Sequence, residues 1–247
     1  MIKGWQVSKI KNLPIQIIDG DRSGKYPKRE EFQKKGYIFL NTTNIENNRL
    51  DLTQANFVTS QKFAQITKGR LKLLDIVITT RGSVGKVALF DDYRYPTGLI
   101  NAQMLILRVD GENIDCKFLF YIICSDYFQS IIKNFSSGSA QPQIPIQDFR
   151  EIEITYPSID IQRKIASIIS AYDDLIENNS RRIKILEEMA QMLYREWFVN
   201  FRFPNHENVK MIESELGLIP EGWEMKKMKD LGIKIIDGAN SNLKRNT

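Results

Sequence analysis

The 247-residue sequence has little of what metal centres and disulfide frameworks need. It contains two cysteines and one histidine, too few for a zinc cluster or a set of disulfide bridges. Its longest apolar runs are far shorter than the roughly 20 residues that a membrane span requires, and its first residues do not resemble a secretory leader. We therefore expect reduced cysteines, no membrane segment and a cytoplasmic location.

Recognisable catalytic motifs are missing as well. Residues 81–86, Arg-Gly-Ser-Val-Gly-Lys, resemble a phosphate loop, but their glycines stand three residues apart and Val87 occupies the place of the magnesium-binding Ser or Thr. No paired carboxylates with a suitably placed lysine indicate a nuclease, and His206 has no nucleophile suggested nearby. An adenine-methyltransferase motif of the Asn-Pro-Pro-Tyr type is also lacking. The sequence predicts no catalytic residues and no metal ligands.

What the chain does have is an ordinary globular composition with an uneven charge. The net charge is +5, with 42% hydrophobic and 26% charged residues. Residues 1–158 hold 21 Lys and Arg against 16 Asp and Glu, whereas residues 159–200 hold 6 against 7 and residues 201–247 hold 8 against 7. The basic excess therefore lies in the first region, which is compatible with a nucleic-acid partner.

The first 156 residues read as short strands separated by connections rich in Gly, Asn, Ser and Pro. One longer apolar stretch, Cys116–Asn134, has the spacing of a helix packed on a sheet. The candidate strands are Ile15–Ile18, Tyr37–Leu40, Ile76–Thr80, Lys86–Phe90, Met104–Val109 and Ile152–Thr155. We predict an α+β fold, in which a mixed α/β domain is followed by a long coiled-coil-like helix.

That helix is predicted over residues 158–200, which contain neither glycine nor proline. Apolar residues recur there at steps of three and four, as in a heptad seam, with the polar Asn179 in the middle, where a buried amide commonly fixes register. At about 1.5 Å per residue the helix is roughly 60 Å long. Its seam either contacts a partner, which we favour, or folds back on its own domain. The candidate pairing and docking residues are Ile165, Ile168, Tyr172, Leu175, Asn179, Ile183, Leu186, Leu193, Trp197 and Phe198.

Polar and basic residues in the first region are candidates for DNA contact. Three basic clusters flank predicted strands and suit phosphate groups. A Gly-containing loop near residue 140 adds uncharged donors and acceptors, which can read base edges. Each of these residues, taken alone, could equally be a solvated surface residue or a turn cap. Only the residues taken together favour DNA contact. The candidates are Arg22, Lys25, Lys28, Arg29, Arg70, Lys72, Arg81, Ser83, Lys86, Ser137, Ser139, Gln141 and Gln143.

A segment near the start of the chain recurs near its end. Residues 4–20, GWQVSKIKNLPIQIIDG, return at residues 222–238 as GWEMKKMKDLGIKIIDG. Such self-similarity marks a duplicated architecture, of which the second copy has only its opening element here. We expect one repeat and the start of another, with a function that needs pairing.

Three motifs carry a family resemblance. The run Leu193-Tyr-Arg-Glu-Trp-Phe-Val-Asn-Phe-Arg-Phe-Pro204, followed by Leu216-Gly-Leu-Ile-Pro-Glu-Gly-Trp223, resembles the central region of the specificity (S) subunits of type I restriction-modification systems. Gly138-Ser-Ala-Gln-Pro-Gln-Ile144 and Gln162-Arg-Lys-Ile165 are similar to that family's junction between target-recognition domain and conserved helix. The resemblance covers essentially the whole chain, in a half-length or truncated form.

This resemblance implies a non-catalytic reader of double-stranded DNA. A complete subunit carries two target-recognition domains, each reading half of a bipartite site, and two antiparallel helices that space them. The helices dock methyltransferase subunits, which use S-adenosylmethionine, and a motor-nuclease subunit joins indirectly. No cofactor is expected in this chain.

The family's organisation gives four expected segments here. They are a target-recognition domain at 1–157, a spacer helix at 158–200, a connector at 201–221 and an incomplete second recognition domain at 222–247. Pairing of two copies through the helix is expected, with an interrupted palindrome as the DNA site. Three alternatives stay open at this point: a missing second domain supplied by another chain, an adaptor or decoy that binds methyltransferase subunits without reading DNA, and a DNA-modifying enzyme in its own right.

Overall fold

A computed structural model describes residues 4–136, 142–215 and 217–232. It divides into two compact units, residues 1–174 and 175–247, with the division inside the long helix. The four segment boundaries expected from the sequence stay a prediction.

The first unit contains twelve strands and four shorter helices in its described part, before the long helix begins. The strands are β1 Gln6–Lys9, β2 Ile15–Asp19, β3 Tyr37–Leu40, β4 Ile45–Glu46, β5 Arg49–Leu50, β6 Asn56–Val58, β7 Arg70–Lys72, β8 Asp75–Thr79, β9 Val87–Phe90, β10 Thr97–Ile100, β11 Met104–Val109 and β12 Glu153–Tyr156. The helices are α1 Ser60–Gln65, α2 Cys116–Cys124, α3 Asp126–Ser136 and α4 Ile146–Glu151.

Two four-stranded sheets form the centre of this unit. One has the antiparallel order β2-β11-β8-β9, and the other has the order β6-β3-β10-β7, in which β3 and β10 run parallel. Strand β12 pairs with β1, and β4 with β5. Side chains alternate across the first sheet, as the pleat requires. Ile76 and Ile78 face the core shared with α2, α3 and α4, while Val77 faces the core shared with the second sheet.

The helix predicted over Cys116–Asn134 is in fact two helices, α2 and α3. Ser125 lies between the two helices and has an extended backbone. Its hydroxyl accepts a hydrogen bond from the N–H of Phe128, in α3, at 3.3 Å. Ser is a preferred residue at a helix start because its oxygen satisfies a free N–H group there. The single-helix prediction was wrong for this reason.

The long helix α5 covers Ile159–Tyr194 and continues as a π-helical turn over Arg195–Val199. Phe201 then takes a left-handed φ of 52° before Pro204, so the chain leaves the helix where the sequence predicts. In the second unit a hairpin follows, with strands β13 Met211–Ser214 and β14 Gly217–Pro220. No helix in the described part of the chain has the length and apolarity to cross a membrane.

Candidate nucleic-acid interface

Several strands of the two sheets end around one turn, residues 101–103, which joins β10 to β11. The N–H of Gly20, after β2, donates to the carbonyl of Met104 at 3.3 Å. The N–H of Asn101 donates to Leu40, at the end of β3, at 2.9 Å, and the N–H of Thr80, after β8, donates to Gln103 at 2.8 Å. The N–H of Ile100, at the end of β10, donates to the carbonyl of Gly69, before β7, at 3.0 Å. We call these connections, residues 20–29, 41–44, 66–69, 80–86, 101–103 and 142–144, the loop edge.

Buried polar side chains hold the loop edge in place. Asp21, Asn44, Thr79, Thr80 and Asn101 are all buried. The Asn101 side-chain oxygen accepts the N–H of Gln103 at 3.0 Å, and the Thr80 hydroxyl donates to the Gln103 carbonyl at 3.2 Å. Hydrogen bonds from Ser23 lower the pKa of the Asp21 carboxyl. The Asp21 and Asn101 bonds shape their own loops and the Thr80 bond joins two of them, so the edge is organised before any ligand arrives.

Gly20 shows why the repeated Asp-Gly pair is needed at the end of β2. A Cβ atom on this residue would lie 2.2 Å from the carbonyl oxygen of Asn101. Only glycine permits so close an approach of two backbones. The second copy of the pair, at 237–238, lies outside the described residues.

The first predicted basic cluster lies on the loop edge. Arg22, Lys25, Lys28 and Arg29 are exposed there. The Arg22 guanidinium forms an ion pair with Asp19 at 3.0 Å. These four residues therefore present positive charge on a loop that packs against the turn at 101–103.

The third cluster lies close to the predicted polar loop. Arg81 forms an antiparallel bridge with Gln143, and the N–H of Gly82 donates to the carbonyl of Pro142 at 3.2 Å. Arg81, Ser83 and Gln143 are exposed, so the structure brings a cation and two neutral hydrogen-bonding side chains onto one part of the edge. Ser137, Ser139 and Gln141 lie outside the described residues.

Besides Arg22, two predicted DNA-contacting side chains, Arg70 and Lys86, have intramolecular partners, and a third, Lys72, lines a cavity. Arg70 donates to the carbonyls of Ile66, Phe63 and Ala64 at 2.7, 3.0 and 3.2 Å and so caps α1. The Lys86 ammonium donates to the carbonyl of Ile45 at 3.1 Å. Lys72 lies two residues further along β7 and lines a cavity of about 440 Å³ beside the bidentate Asp75–Arg108 pair. Their DNA-contact role stays a prediction.

Two exposed residues at the loop edge were missed from the sequence. Lys68 precedes Gly69, which lies against Gly20, and its charge helps to lower the pKa of Asp21. Gln103 has its backbone held on both sides by Asn101 and Thr80. Both residues are placed at the loop edge by strand β10, which pairs with β7 and leads into the turn at 101–103. The apolar pattern did not predict this strand, so the sequence did not indicate either residue.

The helix α5 has two kinds of surface. In its first turns Gln162 and Ala166 are buried and Ile165 is partly buried, so this end folds against its own domain. The rest of the predicted stripe is exposed, and Asn179 is exposed with it. The exposed apolar members are Ile168, Tyr172, Leu175, Ile183, Leu186, Leu193, Trp197 and Phe198.

In the second unit, the repeated tryptophan packs on the segment that ends the helix. The ring centroid of Trp223 lies 5.9 Å from Phe198, 5.4 Å from Phe201 and 6.0 Å from Phe203. The Phe-Arg-Phe-Pro run thus forms an aromatic cluster with Trp223. This contact joins two of the segments that carry the resemblance, the Phe-Arg-Phe-Pro run and the segment that ends at Trp223.

Comparison with known proteins identifies the family. The model of the type I restriction modification DNA specificity domain matches residues 2–188. The chain belongs to this family. A specificity subunit of the type I restriction enzyme MjaIX from Methanocaldococcus jannaschii is 34% identical over 167 residues, which are 67% of this chain and 37% of that protein. The putative MjaX specificity subunit from the same organism is 28% identical over 96% of this chain and 55% of its own length.

Solved structures of the specificity family share the fold. The S subunit of a type I restriction-modification system from M. genitalium has a TM-score of 0.56 at 21% identity, over 79% of this chain and 46% of that one. The HsdS subunit from Thermoanaerobacter tengcongensis has a TM-score of 0.52 at 16% identity, over 80% and 45%. The family and the α+β fold with a long helix are confirmed. The present chain spans about half the length of these two solved chains.

Proposed function

We propose that this chain is a non-catalytic DNA-specificity subunit of a type I restriction-modification complex, in which the loop edge reads one half-site. The observation that carries the proposal is the gathering of exposed cations and neutral hydrogen-bonding side chains on connections that buried polar groups hold rigid. Membership in the specificity family supports the same conclusion.

The chemistry of the loop edge suits a duplex. Arg22, Lys25, Lys28, Arg29 and Lys68 supply charge for phosphate oxygens, which position a protein on DNA without reading sequence. The Arg81, Gln143 and Gln103 side chains supply the groups that read bases. Arginine pairs with the acceptors of guanine, and glutamine with the donor and acceptor of adenine, in the major groove.

Pairing through α5 is the second part of the proposal. Ile168, Leu175 and Leu186 belong to the exposed part of the stripe, whose apolar side chains are 38% to 65% exposed, and their own exposures are 60%, 53% and 63% respectively. A stripe of heptad spacing gains stability when a second helix covers it. A second copy of the chain would cover it with two-fold symmetry, and the DNA site would then be an interrupted palindrome.

Docking of methyltransferase subunits on α5 is the third part. The later turns of the helix carry a second apolar face, Ile185, Met189, Met192 and Val199, all exposed. It lies about 120° around the helix from the stripe, at 3.6 residues per turn. A helix with two separate apolar faces can contact a second helix and another subunit at once. S-adenosylmethionine would be bound by that subunit, and the motor-nuclease subunit would join through it.

The proposal is tested by selection from a random pool of duplex DNA. The chain is purified together with the methyltransferase subunit of a type I system, and bound duplexes are sequenced. We expect one bipartite motif with a fixed spacer to be enriched. A complex that forms but enriches no motif would contradict the reading function and would point to an adaptor. Methyl transfer by the chain alone would contradict its non-catalytic role.

A further inference from the structure

Gln162 is the most completely buried polar side chain of the junction between the recognition domain and α5. It is 0% exposed, although glutamine is usually a surface residue. Its Oε1 accepts the N–H of Asp115 at 3.0 Å, and its Nε2 donates to the carbonyls of Asn113 and Pro157 at 3.0 and 2.8 Å. One side chain thus joins the start of the helix to the segment that leads into α2.

A second set of bonds holds the helix at Asp173. The Tyr121 hydroxyl, on α2, donates to the Asp173 carboxylate at 2.8 Å, and the Arg49 guanidinium, on β5, donates to the Asp173 carbonyl at 2.7 Å. Burial, followed by the hydrogen bond to this carboxylate, raises the pKa of Tyr121, so the phenol remains a donor at neutral pH. Eleven residues separate the two attachment points, about 16 Å along the helix axis.

The attachments occupy one face of the helix and leave the pairing stripe free. Ala166 and Asp173 follow stripe residues by one position, which places them about 100° around the helix from the stripe. Gln162 lies one turn before Ala166 on the same face. Two attachments on one face fix both the direction of the helix and its rotation about its own axis. The direction in which the first exposed stripe residues, Ile168 and Tyr172, face is therefore fixed within this unit.

Hydrogen bonds continue from the second attachment to the loop edge. Arg49 belongs to the β4–β5 hairpin, and the carbonyl of Ile45 in the same hairpin accepts the Lys86 ammonium at 3.1 Å. The N–H of Lys86 donates to the Thr79 hydroxyl at 3.0 Å at the end of β8. The hairpin therefore joins the helix backbone to a loop proposed to contact DNA.

We propose that Gln162, Tyr121, Arg49 and Asp173 are positioning residues that set the spacer length between the two DNA half-sites. The inference rests on the proposed function, because it needs two recognition domains held apart by paired helices. Each added base pair moves one half-site by about 3.4 Å and turns it by about 34°. A fixed junction allows binding to one spacer length. A loosened junction also allows binding to spacers that are one base pair longer or shorter.

The test uses the complex with the methyltransferase subunit and a set of duplexes that carry the selected half-sites. The spacer is set at the preferred length and at one and two base pairs above and below it. The variant Tyr121→Phe/Arg49→Met lacks both donors to Asp173 and keeps the Gln162 attachment. The matched control is Tyr127→Phe, an exposed tyrosine on α3. Dissociation constants are measured for every duplex, and thermal unfolding is followed for each protein.

We expect the wild type and the control to prefer one spacer by at least about tenfold, a discrimination of roughly 1.4 kcal/mol. The double variant should bind the preferred duplex within about threefold of the wild type, a difference below roughly 0.7 kcal/mol, and discriminate less than about threefold between neighbouring spacers. An unchanged spacer profile would overturn the inference, and so would an equal loss at every spacer, which a purely stabilising role would give. A wild-type complex without any sequence preference would overturn the proposed function itself.

Discussion

The two halves of α5 differ in what they contact. Residues 159–174 belong to the first compact unit, where Gln162 and Ala166 are buried and Asp173 receives two hydrogen bonds. Residues 175–194 are exposed along their whole length, yet they carry large apolar side chains such as Leu175, Leu186 and Leu193. The first half is stabilised by its own domain, and the second half has the composition of an interface. A single helix therefore combines an attachment to its own domain with the surface that we propose for pairing.

The largest effect should come from the attached half. Gln162→Ala leaves three backbone groups without their side-chain partner, of which the Pro157 carbonyl is buried, and we expect a loss of about 2 kcal/mol or more in the free energy of unfolding. Gln191→Ala, at an exposed position of the same helix, should change it by less than about 0.5 kcal/mol. Urea unfolding of both variants measures the difference. Equal midpoints would show that the two halves are not distinct.

In the exposed half, the effect should fall on association. Leu186→Asp should weaken self-association at least about tenfold, because burial of one leucine contributes about 1.5–3 kcal/mol. At concentrations where the chain is a monomer, the unfolding midpoint should stay unchanged, since Leu186 is 63% exposed in the single chain. Sedimentation velocity over a concentration series makes the measurement, with Lys184→Asp as the control for added negative charge. Unchanged association of Leu186→Asp would remove the stripe from the interface.

A smaller effect is expected at the loop edge. Arg81→Ala should weaken DNA binding about tenfold and reduce the slope of log affinity against log salt by about one, as loss of one cationic contact does. Arg94→Ala is the matched control, because this exposed arginine lies on the connection at the opposite ends of β9 and β10, paired with Asp92. Fluorescence anisotropy titrations at several salt concentrations separate the two. Equal effects would mean that charge alone, wherever it lies, drives binding.

The smallest effect concerns register. Asn179→Leu should strengthen self-association modestly, because a polar residue in a heptad seam fixes register at some cost in stability. Cross-linking through single cysteines on the two helices should then show more than one register, whereas the wild type shows one. Weaker association of the variant would place Asn179 outside the seam.

Much of the fold could be predicted from the sequence, since hydrophobic periodicity determined the elements with strong patterns. The predicted strands Tyr37–Leu40 and Met104–Val109 have the same bounds in the structure. Strand β10 was missed because Thr97–Ile100 follows Pro96 and contains Gly98, residues that ordinarily mark a loop. A Cβ at Gly98 would lie 2.7 Å from the Ile38 carbonyl oxygen, so the glycine permits the parallel pairing with β3.

The site was less accessible to sequence reasoning because it depends on strand order. Arg22 and Arg81 are 59 positions apart, and they share an edge only because β2 and β8 both flank β11. The role of Gln162 was hidden for a related reason. The sequence places it in a family motif, but its three backbone partners come from Asp115, Asn113 and Pro157, which no local pattern brings together.

The central claim is that this chain reads a DNA half-site and pairs through α5. Methylome sequencing tests it most directly, in cells that express this chain as their only specificity subunit together with a type I methyltransferase. The account predicts methylated adenines in one interrupted palindrome with a single spacer length. A non-palindromic motif would contradict pairing of identical copies, and a methylome without any motif dependent on the chain would contradict DNA reading.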